Sequence, residues 1–223
     1  MTSELIERPA DRHPLFAIFE RHRCSAILRT RDPEVVRPAM DAAIAGGFRI
    51  VEFTLNTPGA LDAIAACRDQ PELCVGAGTV LCVEDARRAL EAGARFLVSP
   101  VADEDLLAFC AENDVFVVPG VLTPAELLTA HRRGAHLLKL FPGPQDLPTY
   151  LRTVLGPMPF LKIFPTSGVT LENARTTLEA GAYGLGFVNC LFAAEDLAER
   201  RFQAIEDRAR EMVLAVESAR IPG

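Results

Sequence analysis

The chain has 223 residues, of which 49% are hydrophobic and 24% charged, as in an ordinary globular protein. A chain of this length can bury enough apolar surface to fold without disulfide or metal staples. Its net charge of −7 argues against a nucleic-acid or anionic-membrane partner, because both require a basic face.

The six cysteines and four histidines show neither a CxxC pair nor the spacing of metal ligands. Several cysteines stand in apolar runs, where a free thiol packs like a small hydrophobic group. The first residues are too charged for a signal peptide, and no apolar run reaches the roughly 18 residues of a membrane span. We therefore expect a reduced, cytoplasmic protein with no membrane segment, no metal and no cofactor.

Eight short apolar runs alternate with amphipathic helical segments along the chain. Most runs are continuously apolar, which is typical of parallel strands covered on both faces. The segments between them begin with Asp, Thr or Pro and mostly end in Gly, as helices do. The runs are CSAILRT (24–30), RIVEFTL (49–55), LCVGAGTV (73–80), RFLVSP (95–100), VFVVPG (115–120), HLLKLF (136–141), FLKIFPT (160–166) and YGLGFVN (183–189).

A coarse internal repeat supports this alternation. Four segments share a helix end, a glycine that caps it and a following strand, with the glycines at Gly46, Gly93, Gly134 and Gly181. Eight strands alternating with helices in about 200 residues predict an α/β protein that folds as a (β/α)8 TIM barrel. The alternative is an open doubly wound sheet, although no G-x-G-x-x-G follows the first run.

The same pattern divides the chain into parts of one domain. We see no linker, so residues 1–223 are predicted to form a single barrel domain. Residues 1–23 form a leader, in which PLFAIFERH is predicted to be a helix that caps the barrel. Residues 193–220 are predicted to form one or two terminal helices.

Two of the charged residues inside the apolar runs indicate chemistry. Glu52 lies inside RIVEFTL and Lys139 inside HLLKLF, where an unpaired charge is expensive to bury. Glu52 is therefore either half of an internal ion pair or a base whose pKa is set by the protein interior. Three roles are open to Lys139: Schiff-base nucleophile, anion binder or structural ion pair.

A second lysine, Lys162, stands in the similar segment LKIFPTSG, and the residues that follow distinguish the two. Lys162 precedes a Thr-Ser-Gly turn that opens a helix, an arrangement that offers backbone N–H groups to an anion. Lys139 precedes the stiff loop PGPQDLP, which is better suited to shaping a pocket. We therefore favour Lys139 as the nucleophile and expect Lys162 to be a supporting charge, paired with Glu52 or another interior acid.

Six segments, in this order, resemble the 2-keto-3-deoxy-6-phosphogluconate / 4-hydroxy-2-oxoglutarate aldolases: VEFTLNTPGA, VGAGTVL, FLVSP, VVPGVLTPAE, LLKLFPG and FPTSGVT. The resemblance covers roughly residues 24–220, and AILR and EFTLNTP are most similar to the branch acting on 6-phospho-2-dehydro-3-deoxygalactonate. It implies a metal-free class I aldolase on a (β/α)8 barrel, a homotrimer whose partners are a keto acid substrate and pyruvate.

The resemblance also implies roles for individual residues. Lys139 takes the position of the Schiff-base lysine and Glu52 that of the general acid/base. The substrate-binding positions hold the pyruvate part, line the pocket or form the phosphate turn; they are Arg29, Thr79, Asn56, Pro100, Phe141, Thr166, Ser167, Gly168 and Asn189.

The sequence departs from the family pattern mainly at the phosphate end. Ser167 replaces a glycine of the usual turn, Phe187 falls where relatives carry a phosphate-binding serine, and Asn189 is the substitute donor. Asn56 stands where many relatives of the gluconate branch have an arginine. The phosphate end is thus where we expect recognition to differ most from the family.

The leading hypothesis is reversible cleavage of a 2-keto-3-deoxy-6-phospho sugar acid to pyruvate and an aldehyde such as glyceraldehyde 3-phosphate. One alternative is an aldolase for an unphosphorylated or shorter keto acid such as 4-hydroxy-2-oxoglutarate. Another is a paralogue that binds a sugar acid without turning it over. A third is a different phosphate-binding barrel, such as a thiamin-phosphate-synthase-like enzyme, which leaves Glu52 and Lys139 without roles.

Overall fold

Residues 8–220 are described in a computed structural model of the protein. Within this range nine short strands alternate with helices, and every strand pair is parallel. The strands are β1 (Cys24–Leu28), β2 (Ile50–Thr54), β3 (Cys74–Gly78), β4 (Phe96–Val98), β5 (Phe116–Val118), β6 (Gly120–Val121), β7 (Leu138–Leu140), β8 (Ile163–Pro165) and β9 (Leu185–Phe187).

Four of the α-helices in residues 8–220 begin after a residue whose side chain caps the helix. Thr123 and Thr170, for example, accept hydrogen bonds from the third backbone N–H of the helices that follow them. Of the helices in residues 8–220, none is both long and apolar enough to cross a membrane. The helices are α1 (Leu15–His22), α2 (Val36–Ala45), α3 (Ala60–Cys67), α4 (Val83–Ala92), α5 (Glu104–Glu112), α6 (Pro124–Arg132), α7 (Leu147–Leu155), α8 (Leu171–Glu179), α9 (Ala194–Ala198) and α10 (Phe202–Glu217), with 3-10 turns at Pro9–Arg12 and Pro33–Val35.

The strands form two parallel sheets, one of six strands in the order β5-β4-β3-β2-β1-β9 and one of three in the order β6-β7-β8. Each of the eight predicted runs contains a strand, and the fifth is divided at Pro119, which has no N–H to donate. Backbone hydrogen bonds join the sheets on both sides, from His136 to Val117 (3.1 Å) and from Tyr183 to Ile163 (2.8 Å). The fold is therefore α/β, with a curled parallel sheet.

The glycines of the repeat do not all play one role. Three of them end a helix in the left-handed conformation, but in the first repeat that residue is Gly47 (φ 114°) rather than Gly46. Gly46 is right-handed, and a Cβ added there would lie 2.4 Å from the Cβ of Ala209 on α10. Gly46 is therefore the C-cap of α2, as predicted, and α10 packs so closely against it that the position has no room for a side chain.

The predicted capping helix is α1, which packs beneath the amino ends of the strands. Its buried Phe19 stacks on Phe116 of β5, with 5.1 Å between ring centroids, and meets Phe164 of β8 edge-on at 5.8 Å. This aromatic cluster fills the space between the strands at that end. The carboxyl ends of the strands, at the opposite end, are left for polar side chains.

Candidate active site

One cavity of about 190 Å³ opens where the carboxyl ends of β1, β7, β8 and β9 meet. We call it the reactive cavity. It brings together seven of the residues predicted from the sequence, contributed by four strands far apart in the chain. Its lining is Ile27, Arg29, Lys139, Phe141, Thr166, Ser167, Gly168, Val169, Val188, Asn189 and Cys190.

Lys139 is the buried amine of this cavity. It lies on β7 between Gly120 and Phe164 of the neighbouring strands and is only 5% exposed. Its Nζ is 5.2 Å from the ring centroid of Phe141. Burial lowers the pKa of Lys139 below that of an ordinary lysine; the Glu52 charge opposes this shift and the Arg29 charge adds to it. The site thus favours the neutral, nucleophilic amine.

Glu52 is a buried carboxylate that does not line the reactive cavity. It lies on β2, is 2% exposed, and its Oε1 has no hydrogen-bond partner within residues 8–220. Burial raises the pKa of Glu52, and the charges of Lys139 and Arg29 only partly offset this. A carboxyl group with a raised pKa can give and take a proton near neutrality, which is the property of a general acid/base.

Gly78 makes room for that carboxylate. A Cβ added at Gly78 would lie 1.9 Å from Oε1 of Glu52, far inside an ordinary contact. The strand pairing places Gly78 beside Thr54, two residues along the strand from Glu52. The sequence analysis gives Gly78 no role of its own, but this glycine is required for the position of the acid/base candidate.

Arg29, which lines the reactive cavity, contacts Thr79, which does not. Arg29 follows β1, is exposed, and its Nη2 lies 3.5 Å from Oγ1 of Thr79. Thr79 has a φ of 57°, a left-handed conformation that a β-branched residue rarely adopts. Backbone strain of this kind concentrates at functional sites, where surrounding structure holds it. The left-handed residue Thr79 directly follows β3, and its side chain contacts Arg29.

Asn56 and Pro100 do not line the reactive cavity. Asn56 is exposed and belongs to a second cavity of about 570 Å³, the outer cavity, which Arg29 also borders. Pro100 packs by its backbone: a Cβ on Gly120 would lie 2.2 Å from the carbonyl oxygen of Pro100. Pro100 therefore supports the strand beside Lys139 rather than forming the cavity wall. The outer cavity is lined by Arg29, Thr30, Arg31, Asp32, Asn56, Ala194, Leu197 and Ala198.

The turn between β8 and α8 presents unpaired donors to the reactive cavity. No hydrogen bond within residues 8–220 uses the backbone N–H of Ser167 or Gly168. The Oγ1 atom of Thr166 is buried and has no partner in the same range. Gly168 has a φ of 76°, so this position needs its glycine. Free N–H groups ahead of a helix N-terminus form a site for an anion.

The end of β9 differs from the sequence interpretation. Phe187 is fully buried and packs edge-on against Phe48 at 5.9 Å, on the side of the strand away from the cavity. Gly186 faces inward, since a Cβ there would meet Ile27 and Thr166 at 2.6 and 2.7 Å. Phe187 thus does not line the reactive cavity. Val188, Asn189 and Cys190 line the cavity instead.

Lys162 lies at the other end of the sheet. It precedes β8, and its Nζ forms an ion pair with Oδ1 of Asp11 at 2.8 Å and lies 5.0 Å from the ring of Phe16. The proposed pairing with Glu52 is therefore wrong, and the acid is one of the amino-terminal segment. Lys162 ties that segment to the strands and has no access to the reactive cavity.

Several contributors to the site escaped the sequence interpretation. The Oγ1 of Thr54 donates to the carbonyl of Leu28 (3.2 Å) and lies 3.0 Å from Oγ1 of Thr57, which ties the ends of β1 and β2 together. Val188 and Cys190 lie one residue before and after the predicted Asn189. Their place at the end of the same strand could have identified them as well. Within residues 8–220, no group of three or more His, Cys, Asp or Glu side chains is arranged to hold a metal ion.

Comparison with known proteins decides the family. Residues 16–207 match the profile described as "Aldolase: KDPG and KHG aldolase", where KDPG is 2-keto-3-deoxy-6-phosphogluconate and KHG is 4-hydroxy-2-oxoglutarate. The chain belongs to this family. Membership in this family excludes the alternative that the chain is an unrelated phosphate-binding barrel.

Individual relatives of the KDPG and KHG aldolase family agree. The KHG/KDPG aldolase of Escherichia coli is 34% identical over 186 residues, which are 82% of this chain and 86% of the relative. The 2-dehydro-3-deoxy-phosphogluconate aldolase of Pseudomonas aeruginosa is 39% identical over 140 residues, 62% of this chain and 64% of the relative, just under two thirds of its length.

A solved structure adds a chemical detail about a relative. KDPG aldolase from Legionella pneumophila, described with pyruvate captured at low pH as a covalent carbinolamine intermediate, superimposes with a TM-score of 0.79. It is 26% identical to this chain, and the match covers 88% of this chain and 97% of that one. In that aldolase, pyruvate is thus held covalently.

Proposed function

We propose that this protein is a class I aldolase that reversibly cleaves a 2-keto-3-deoxy-6-phospho sugar acid to pyruvate and glyceraldehyde 3-phosphate. The observation that carries the proposal is the buried Lys139, whose pKa is lowered, in one cavity with Arg29 and within the electrostatic reach of Glu52. Family membership and the covalent pyruvate adduct of the Legionella relative support the same chemistry.

The first half of the reaction belongs to Lys139. Its neutral amine attacks the C2 ketone of the substrate to give a carbinolamine, which loses water to form a protonated imine. The imine withdraws electrons from the C3–C4 bond. Arg29 is suited to hold the substrate carboxylate, because a guanidinium offers paired donors to a planar anion, and Thr79 stands beside it.

The second half belongs to Glu52. Its carboxylate takes the proton of the C4 hydroxyl, through a bridging water, as the C3–C4 bond breaks and the aldehyde leaves. The bonding electrons pass into the imine, which becomes an enamine. Protonation of the enamine carbon and hydrolysis of the imine then release pyruvate and restore Lys139. Phe141 covers the amine during these steps.

The phosphate end of the substrate is assigned to the turns after β8 and β9. The unpaired N–H groups of Ser167 and Gly168 and the unpaired hydroxyl of Thr166 support this assignment. Asn189 lies on the facing wall of the same cavity and adds a side-chain amide. Asn56, in the outer cavity next to Arg29, is then at the outer end of the binding site rather than at the reacting carbons.

Borohydride trapping tests the proposal directly. The sequence contains two lysines, Lys139 and Lys162, so a reduced pyruvate adduct on a lysine has two possible positions. We expect one adduct, on the peptide containing Lys139, and none after Lys139→Met. Lys162→Met is the matched control and should trap normally. No adduct, or an adduct on Lys162, would refute the assignment.

A second substrate has an observation in its favour. The E. coli relative is named for both KHG and KDPG, and the free N–H groups after β8 can receive a carboxylate as well as a phosphate. Comparing kcat/KM for 4-hydroxy-2-oxoglutarate with kcat/KM for the phosphorylated sugar acid ranks the two. A non-catalytic paralogue would bind pyruvate without exchanging its methyl protons with solvent.

The remaining parts of the proposal concern architecture and setting. We propose that the two sheets close into one (β/α)8 barrel formed by a single domain, which the hydrogen bonds joining β5 to β7 and β8 to β9 support. We propose a homotrimer, for which exposed Leu81 and Val101 after β3 and β4 offer apolar surface; sedimentation equilibrium tests this. The six free cysteines fit a reducing, cytoplasmic location.

A further inference from the structure

The turn after β9, residues 188–192, forms one wall of the reactive cavity. Leu191 and Phe192 are buried, and both of their N–H groups donate to the carbonyl of Val188, at 3.1 and 2.9 Å. The backbone N–H of Asn189 makes no hydrogen bond within residues 8–220. Pairing between β9 and β1 ends at Phe187, so strand hydrogen bonds do not fix this turn.

An arginine of α10 holds the outer side of the turn. Arg208 donates from Nη1 to the carbonyl oxygen of Leu191 at 2.8 Å and from Nη2 to Oδ2 of Asp196 at 2.6 Å. A planar guanidinium can make both bonds at once with little loss of side-chain freedom. Arg208 itself does not line the reactive cavity. Its effect on a substrate would therefore pass through the turn.

Asp196 fixes the arginine in place. It is 4% exposed, and its other oxygen accepts a hydrogen bond from Nε of Arg201 at 2.8 Å. Burial opposes ionisation, but the hydrogen bonds from Arg208 and Arg201 outweigh it and keep the pKa of Asp196 below its ordinary value. The carboxylate is therefore a permanent anchor between α9 and α10, and the guanidinium of Arg208 points back to the turn.

We propose that Arg208, anchored by Asp196, is a positioning residue that sets the 188–192 turn for the phosphate end of the substrate. This rests on the proposed function. Without the Arg208 bond, the carbonyl of Leu191 loses its partner and the donors of the turn move relative to the 166–168 turn. The reacting carbons lie at Lys139, on another strand, so binding of the phosphate should suffer and chemistry should not.

Two variants and one control separate positioning from general stability. Arg208→Lys keeps a positive charge beside Asp196, but one ammonium group cannot reproduce the fork that also reaches Leu191. Arg208→Met removes both bonds. Arg210→Met is the control, because Arg210 is exposed, lies on the same helix and pairs, among residues 8–220, with the half-buried Glu206 and the exposed Asp207.

The measurements are KM and kcat for the phosphorylated substrate, the concentration of inorganic phosphate that halves the rate, and pyruvate trapping. Loss of one hydrogen bond to a charged group corresponds to roughly a tenfold change in affinity. We expect Arg208→Lys and Arg208→Met to raise both KM and the half-inhibiting concentration of inorganic phosphate roughly tenfold. The value of kcat and the pyruvate concentration needed for trapping should stay within about twofold of the wild type. Arg210→Met should match the wild type.

The outcomes distinguish this inference from the proposed function. If the wild-type enzyme traps pyruvate on Lys139 and the Arg208 variants keep wild-type KM and phosphate inhibition, the positioning role is refuted and the aldolase stands. Equal losses in kcat, pyruvate trapping and melting temperature in both Arg208 variants would also refute it, because they would indicate a structural role only. Failure of the wild-type enzyme to trap pyruvate refutes the proposed function itself.

Discussion

Replacing Gly78 with alanine is the sharpest available test of the role of Glu52. The added Cβ would lie 1.9 Å from Oε1 of Glu52, and ordinary contacts begin at 3.4 Å, so the carboxylate must retreat by about 1.5 Å. A displacement of about 1 Å in a catalytic group costs on the order of 10²-fold in rate. We therefore expect kcat for cleavage to fall by about that factor or more.

The same variant should leave the earlier step intact. Lys139 stands on β7, so trapping of pyruvate with borohydride should proceed at a rate within about threefold of wild type. The assay compares kcat for cleavage with the rate of trapping. Gly156→Ala is the matched control, because Gly156 has a φ of −52° and an added Cβ there makes no contact closer than 3.4 Å. A folded Gly78→Ala enzyme with wild-type kcat would refute the placement of Glu52 as acid/base.

Three further substitutions test the charges and the strain of the site. Glu52→Gln removes the charge that raises the pKa of Lys139, so the pH midpoint of pyruvate trapping should move down. Lys162→Met should cost about 1–3 kcal/mol in the free energy of unfolding at neutral pH, because it removes a partner of the little-exposed Asp11. Thr79→Gly should leave the unfolding free energy equal or raise it by about 1 kcal/mol, since the left-handed strain disappears, while kcat/KM falls.

Each of these has a contradicting result. If the pH midpoint of pyruvate trapping is unchanged or higher after Glu52→Gln, the Glu52 charge does not raise the pKa of Lys139. For Lys162→Met, burial of Asp11 is outweighed by hydrogen bonds from Arg8 and Lys162, which hold its pKa below the ordinary value. That stabilisation is present above the unfolded pKa of 3.8 and is lost as the pH falls, so a cost that persists unchanged in acid would contradict the account. If Thr79→Gly lowers the free energy of unfolding, the left-handed backbone of Thr79 is not strained.

The alternation of strands and helices was predictable from the sequence because it depends on local patterns. Continuous apolar runs, helix caps and glycines each act within a few residues, and every predicted run contains a strand. The pattern did not predict that Pro119 separates β5 from β6, because the fifth run is apolar without a break. It identified Gly46 as a helix cap but not its close contact with α10, because that contact cannot be read from neighbouring residues.

The candidate site was predictable where position along a strand decides orientation. Lys139 and Glu52 are buried as expected, because alternation fixes which face of a strand a side chain occupies. The partner of Lys162 was not predictable, since Asp11 lies 151 residues away in the chain. The orientation of Phe187 follows from alternation along β9, which points Gly186 inward and Phe187 towards Phe48.

The scarcity of lysine gives the molecule an unusual chemical selectivity. Of the two side-chain amines, Lys162 is paired with Asp11 at the amino ends of the strands, and Lys139 is buried at the opposite end. All other strongly basic side chains are guanidinium groups, which stay protonated. In the proposed reaction, an aldehyde released from the reactive cavity therefore passes over a surface almost without side-chain amines. The enzyme offers its own product little opportunity for covalent self-modification.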